Sequence, residues 1–400
     1  MTTLQTVDVA VIGAGSMGSM ALWQLSKNTG LSVLGIERFG PAHANGGFSG
    51  ESRLFRAANK EGAIYTEPAL KARELWIELE REAQRELLLK TGVLAIGPAG
   101  HPFLESTLRS IAESDLPHRT LDAEALRREY PQFHVEDRDI GIMDVLGGGL
   151  RPEAAVAAAQ RAAVQHGAEI LYRTEVLGIE EVADGVRIST HDGVIHAGKA
   201  IVTSGAWLGT VLPELRDLVK AVAYSLTWFM PEDISAFTRE RFPCWIRDLD
   251  GDHAFGVPSI DGYSIKISPS SDLPLEDAPE DLITRLTPEQ LEEYTRVAKR
   301  MIPGIVPEPV RWSVHPDSVT ADHVPVLDVS ESGRLIVGGG MSGNGFKFAP
   351  AYGRLLTDLA ESGASSLQHP MFTLAHHRRR AHARAQGLPI EGGAEILLGH

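Results

Sequence analysis

Cysteine is nearly missing from this sequence: Cys244 is the only one in 400 residues. A single thiol excludes an internal disulfide and any cysteine-rich metal centre, and within "FPCWIRD" it reads as a small buried hydrophobe. There is no run of about 18 apolar residues, so no helical membrane span is predicted. "MTTLQTVDVAVIGAG" enters a strand pattern at once, without a basic region, apolar stretch and cleavage site, and the final "LGH" is not a peroxisomal address. A cytoplasmic protein is expected. Positive charge is also in deficit, with 38 Lys and Arg against 53 Asp and Glu. The formal net charge of -15 repels nucleic acid and anionic membrane, which excludes both as main partners. Internal repeats and low-complexity tracts are absent, and no metal is expected.

What remains is an ordinary globular composition, 43% hydrophobic and 23% charged, in a chain too long for one simple core. Val7 to Ile12 is apolar apart from Asp8, the pattern of a parallel strand covered on both faces. After it come "GAGSMG", a helical stretch "SMGSMALWQLSK", and a second strand "LSVLGIE" ending at Glu37. Gly13, Gly15 and Gly18 have the spacing that lets a pyrophosphate approach bare backbone at a helix N-terminus, with Ser16 and Met17 opening that helix. Glu37 stands where a carboxylate accepts hydrogen bonds from a ribose. Glycine spacing alone arises by chance, but this order of elements points to a dinucleotide. It leaves FAD and NAD both open.

Helix patterns follow in "TEPALKARELWIELEREAQREL", "ESTLRSIAESD" and "DAEALRREY", the last stopped by Pro131. Helix-strand alternation resumes after residue 150, with turns expected at Asp184-Gly185 and Asp192-Gly193. The nucleotide-binding pattern is thus interrupted and then continued. "TPEQLEEYTRVAKRMIPG" begins with a capping box from Thr287 to Gln290 and a proline at the first helical position. "HHRRRAHARAQG" reads as an exposed basic tail.

Arg53 and Arg56, three residues apart in "GGFSGESRLFRAAN", raise a charge question. They share one face if the stretch is helical, and Glu51 is not placed to pair with them there. They read equally as surface arginines on a short helix. Lys347, between Phe346 and Phe348, is either a solvated turn lysine or a buried ammonium in need of a partner. In "YSIKIS", Tyr263, Ile265 and Ile267 share a strand face, so Lys266 points the other way, by default into water.

"VIGAGSMG", "ERFGPAHANG", "ESRLFR", "VTSGAW" and "GGGMSGNGFKF", in this order, resemble the monomeric sarcosine oxidase and N-methyltryptophan oxidase family, a branch of the D-amino-acid-oxidase-like flavoproteins. The resemblance runs from about residue 7 to 375. It implies an α/β protein with a discontinuous Rossmann-like FAD-binding domain (1–88, 149–221, 321–380), an α+β substrate domain on a mainly antiparallel sheet (89–148, 222–320), and a tail (381–400). Its cofactor residues fall on Gly13, Gly15, Ser16, Met17, Gly18, Glu37, Arg38, Asn45, Ser49, Val176, Ser204, Gly205, Trp207, Gly340, Met341, Gly343, Asn344, Gly345, Phe346 and Lys347. Arg56 and Lys347 match a pair that clamps a substrate carboxylate, and Phe255 and Ser270 line the substrate. Arg53 matches a second arginine near the flavin, and Lys266 matches a lysine near flavin N5 that promotes reaction with oxygen. A recess whose cations are already paired with protein carboxylates would contradict this arrangement.

Three departures matter. The cysteine that tethers the flavin in such proteins corresponds to Val314, so non-covalent FAD is expected; His315 is adjacent but should alternate away. A flavin-side histidine corresponds to Ser49, and the substrate-side tyrosine and histidine to Phe255 and Ser270. These losses remove hydrogen bonds and open volume, leaving N-methyl, N-carboxymethyl, cyclic and sugar-modified amino acids all open as substrates. The resemblance implies a monomeric amine oxidase using O2. A dehydrogenase with another electron acceptor and a non-catalytic FAD-binding subunit are the alternatives.

Overall fold

The computed structural model describes residues 3–270 and 273–385. Thr3–Ile12 pairs in parallel with Val33–Ile36 on one side and Val194–Val202 on the other. From Val9 on, alternate residues serve different layers: Val9 and Val11 enter one core, while Ala10 and Ile12 enter another. That two-sided burial is why the strand is almost uniformly apolar. Val194–Val202 is the hinge of this eight-stranded sheet, since its first half pairs with Gly185–Thr190 and its last residues with Leu335–Gly339. The first hairpin turn uses Ala183 and Asp184, because Gly185 already pairs with Val182 in the ladder.

Helix Ser16–Leu25 packs on Ala349–Ser362, and glycine permits the contact: a Cβ at Gly353 would come within 2.8 Å of Met20 backbone. Thr66–Ala83 and Pro152–Gln165 complete that layer.

A second sheet of nine strands runs Leu275–Glu276, Val219–Pro231, Ile265–Pro269, Asp252–Val257, Cys244–Leu249, Val93–Pro98, Asp139–Asp144 and His118–Leu121, with Ile305–Thr320 also along Val219–Pro231. Its pairs are antiparallel except Cys244–Leu249 with Val93–Pro98. Pro307, Pro309 and Pro316 fall on Ile305–Thr320, which among the described residues pairs with a single strand, and an edge strand tolerates residues that lack an N–H. One face of this sheet is closed by Pro288–Met301, whose Thr287–Gln290 capping box forms as the sequence implies. The other face turns toward the first layer, and this second cover decides the chemistry of Lys266.

Leu374–Ala385 is a helix, which corrects the expectation of an exposed basic tail for this part. His376 and His377 are buried, His376 Nε2 lies 2.6 Å from Asp322, and Arg380 Nε lies 3.6 Å from the same carboxylate. A buried carboxylate needs such partners, so the basic residues are recruited inward. Residues 386–400, the rest of that segment, lie outside the described residues. Among the described residues no helix is long and apolar enough to cross a membrane, and no His, Cys, Asp and Glu cluster has metal-site geometry.

Candidate functional site

At the first glycine turn, Gly13 has φ +87°, and a Cβ on Gly18 would lie 1.8 Å from the Gly13 carbonyl oxygen. No side chain fits there, so the helix starts against the strand end. Gly15 is different: a Cβ there would meet only Phe48, at 3.6 Å, leaving its outer side clear of the protein. The helix that Gly15 caps has no side-chain cap and no acid in its first turn, so the donors at Ser16 and Met17 remain available to an anion. Ser204 Oγ, buried beside this turn, also has no partner. Glu37 is buried at the second strand's end, accepting from Ala14 N at 2.9 Å and Phe39 N at 2.8 Å, with His43 Nε2 3.2 Å away. Bare backbone, orphaned donors and a carboxylate fit the pyrophosphate and ribose of FAD.

Around this turn the other expected residues are spread unevenly. Arg38 bridges Glu175 and Glu280 and stacks on Trp207, whose Nε1 donates to Glu280. Val176 begins the neighbouring strand, and Gly205 is an exposed turn glycine. Asn45 is exposed, and Ser49 Oγ donates to His43 O. The second glycine turn meets the first, since a Cβ at Gly345 would come 3.1 Å from Met17 and 2.6 Å from Met341. Gly340 and Gly343 have positive φ, but the Gly343 N–H is already donated to Asp317, at 2.6 Å. Burial pushes the Asp317 carboxyl above the usual carboxylate range. Phe346 stacks on Trp76, which donates to Lys347 O.

The helical reading of Arg53 and Arg56 is corrected: Arg53–Phe55 is a strand, pairing with Gly148–Leu150. A strand sends the two arginines apart. Arg53 donates to the Ser49 and Gly47 carbonyls and to the Tyr224 hydroxyl. Glu51 pairs with Arg311 and accepts from Trp228 Nε1. Lys266, 1% exposed, does point away from Ile265 and Ile267, but into protein rather than water. Its Nζ donates to Ser52 O at 2.7 Å and Gly50 O at 3.1 Å, with the rings of Trp228 at 5.2 Å and Phe255 at 5.8 Å. Burial, reinforced by Arg53, drives its pKa well below that of a free lysine.

The orientation expected at Val314 and His315 is also reversed. Val314 packs against the Ala206, Ala221 and Ala223 cluster, while buried His315 faces Arg53 and Lys266. A Cβ built on Gly50 would lie 3.2 Å from His315 Nε2 and 3.3 Å from an Arg53 nitrogen. His315 Nε2 is 2.7 Å from Ser313 Oγ, and its Nδ1 has no partner. Burial and the two neighbouring cations hold this imidazole neutral, at about 3.

Arg56 and Lys347 do converge, on a residue the sequence reading missed. Glu61 Oε1 lies 2.9 Å from Arg56 and 3.9 Å from Lys347, and all three side chains are buried. Lys347 Nζ also donates to Asn344 Oδ1 at 2.9 Å. Burial pushes the Glu61 carboxyl up, but Arg56, Lys347 and Lys60 outweigh it and hold it at about 2. Burial pulls Lys347 down to about 7, with Glu61 opposing. The recess is therefore not an empty cationic one, and in this structure the anion answering Arg56 is internal. The available signal was that Glu61 is the sole acid between Arg56 and the next helix, and a buried guanidinium needs a counter-charge. Tyr224 and Asp317, which take up Arg53 and Gly343 N–H, were missed as well. Phe255 is partly buried on the face that carries Lys266, and Ser270 is exposed at its rim.

Residues 8–359 match the DAO family, described as FAD dependent oxidoreductase. The chain is 32% identical over 387 residues to a monomeric sarcosine oxidase of Streptomyces avermitilis, covering 92% of this chain and 96% of that one. It is 31% identical over 377 residues to an N-methyl-L-tryptophan oxidase of Salmonella dublin, covering 92% and 98%. Among solved structures, NikD, an unusual amino acid oxidase essential for nikkomycin biosynthesis, superposes with a TM-score of 0.82 at 22% identity, over 92% of this chain and 97% of that one.

Proposed function

This chain belongs to the FAD dependent oxidoreductase family, with FAD as its cofactor, and from that premise we propose that it oxidises the secondary amine of an N-substituted amino acid with O2 as acceptor. The observation that carries the reading is the bare glycine turn at Gly13–Gly18 in a chain matching that family over residues 8–359; the pairing of Arg56 and Lys347 with Glu61 counts against an open clamp, so the clamp acts only where Glu61 gives way. Guanidinium and ammonium together bind a carboxylate by charge-assisted hydrogen bonds that fix its orientation. Glu61 holds that position until a substrate carboxylate exchanges with it, so the internal anion keeps the two cations compensated between turnovers.

FAD, when bound, supplies the two-electron acceptor. The substrate carbon beside nitrogen loses a hydride equivalent, the resulting imine is hydrolysed, and dioxygen leaves as hydrogen peroxide. The amine must be neutral, since its lone pair drives the C–H bond to break. No dedicated general base stands out, so binding selects the neutral amine. Lys266 places a cation where dioxygen gains charge, and Arg53 orders the Gly47 to Ser52 carbonyls around it. A peroxide-coupled screen of N-substituted amino acids tests the reading: peroxide with flavin reduction is expected, and reduction without peroxide would make the protein a dehydrogenase.

The flavin is held without a covalent bond, because Val314 offers no nucleophile. Acid precipitation is expected to leave the pellet colourless and the supernatant yellow. A yellow pellet would assign attachment to His315, the buried imidazole adjacent to Val314. A monomer is expected by analytical sedimentation, and a cytoplasmic one by fractionation.

A further inference from the structure

Beyond the Arg56 and Lys347 position, the same sheet face continues into a second polar end. Register pairs Ile246 with Phe255 and Asp248 with His253, and Val257 with Lys266, so all six side chains share one face. Asp248 is buried, and its carboxylate accepts from His253 Nδ1 at 2.8 Å. Phe103 stands edge-on to His253, with ring centroids 6.4 Å apart, and Lys60 Nζ lies 5.5 Å from the centre of that same ring. Lys60 thus bridges the two ends. Its charge acts on Glu61 and Lys347 on one side and on Asp248 on the other.

Arg56, Lys347 and Lys60 surround the Glu61 carboxylate, while the two further carboxylates nearby are already hydrogen-bonded, Asp144 to the Ala57 and Ala58 amides and Asp248 to His253. Among the described residues, no carboxylate oxygen lies within 4.0 Å of Lys60 Nζ, and this half-buried ammonium makes no hydrogen bond to another protein group. His101 Nδ1, buried on the same aromatic ring at a centroid distance of 6.2 Å, has no partner either. When a substrate carboxylate takes the place of Glu61, Lys60 loses its nearest counter-charge. We infer that Lys60 is a second anion-recognition residue, and that the substrate is an N-substituted amino acid with a further carboxylate on its side chain or its N-substituent. The inference rests on the amine-oxidase reading above. The ring of Phe103 carries the ammonium without neutralising it, leaving the charge available to a ligand.

Matched pairs decide the matter in the holoenzyme: N-methyl-L-glutamate against N-methyl-L-norvaline, and N-carboxymethyl-L-alanine against N-ethyl-L-alanine. At least one dicarboxylate is expected to exceed its partner tenfold or more in kcat/KM, through KM. Lys60→Gln should bring that ratio close to one, and Lys60→Arg should restore most of it, which a merely structural role would not do. Independently of any variant, glutarate should perturb the flavin spectrum at concentrations at least tenfold lower than butyrate. Equal ratios in the native protein, a ratio that survives Lys60→Gln, or equal binding of glutarate and butyrate overturns the inference while the monocarboxylates still react. Failure of all four amino acids to reduce the flavin overturns the oxidase reading, and this inference with it.

Discussion

Lys266→Met is expected to leave anaerobic flavin reduction by substrate in place while slowing reoxidation by O2 by up to about a thousandfold. The first electron given to dioxygen makes superoxide, an anion that a nearby cation stabilises. At an effective dielectric of about 20, unit charges about 4 Å apart interact by about 4 kcal/mol, and about 1.4 kcal/mol changes a rate tenfold. Lys266 suits the role because its ammonium is held by the Ser52 and Gly50 carbonyls, with no carboxylate hydrogen-bonded to it. The charge is conditional, however. Burial and Arg53 lower its pKa well below the ordinary value, so the oxygen rate should fall with rising pH at a point well short of 10.5. Stopped-flow reoxidation across pH reads both effects, and an unchanged oxygen rate in the variant would remove the assignment.

Lys347→Met should weaken substrate capture. Losing a hydrogen bond to a charged group costs roughly 2–3 kcal/mol, or about thirty- to 150-fold in apparent affinity. Anaerobic titration of flavin reduction against substrate concentration measures it, and an unaltered apparent dissociation constant would count against the clamp. The pH dependence gives a second handle. Lys347 is depressed to about 7, and only its protonated form attracts a carboxylate, so affinity should decline as pH rises through about 7. In the methionine variant that decline should vanish.

How much of this was readable beforehand depended on the range of the interaction. The strand, glycine turn, helix and second strand of residues 3–36 announce themselves because their requirements are local: Gly18 must lack a side chain to clear Gly13. The Thr287 cap is equally local. Arg53 and Arg56 were misjudged because "RLF" becomes a strand only by pairing with Gly148–Leu150, nearly a hundred positions away. The alternation of Lys266 was read correctly, but not the second layer that turns its outward face into an interior. Val314 and His315 alternate as expected, but which of the two faces the recess is set by the pairing of Ile305–Thr320 with Val219–Pro231, a strand far away in the sequence. Glu61 needed knowledge of what neighbours Arg56 in space, which its position in the sequence suggests but does not specify.

The way the two sheets share the chain bears on how the protein is made. Val93–Pro98 lacks its parallel partner until residues 244–249 have been synthesised, and Val194–Val202 lacks Leu335–Gly339 until residues 335–339 have been made. A nascent polypeptide stalled midway would therefore hold unpaired edges from both layers at once, and such edges invite association with other chains. Neither sheet can close from the earlier segments alone, so both interiors wait on strands that emerge much later from the ribosome.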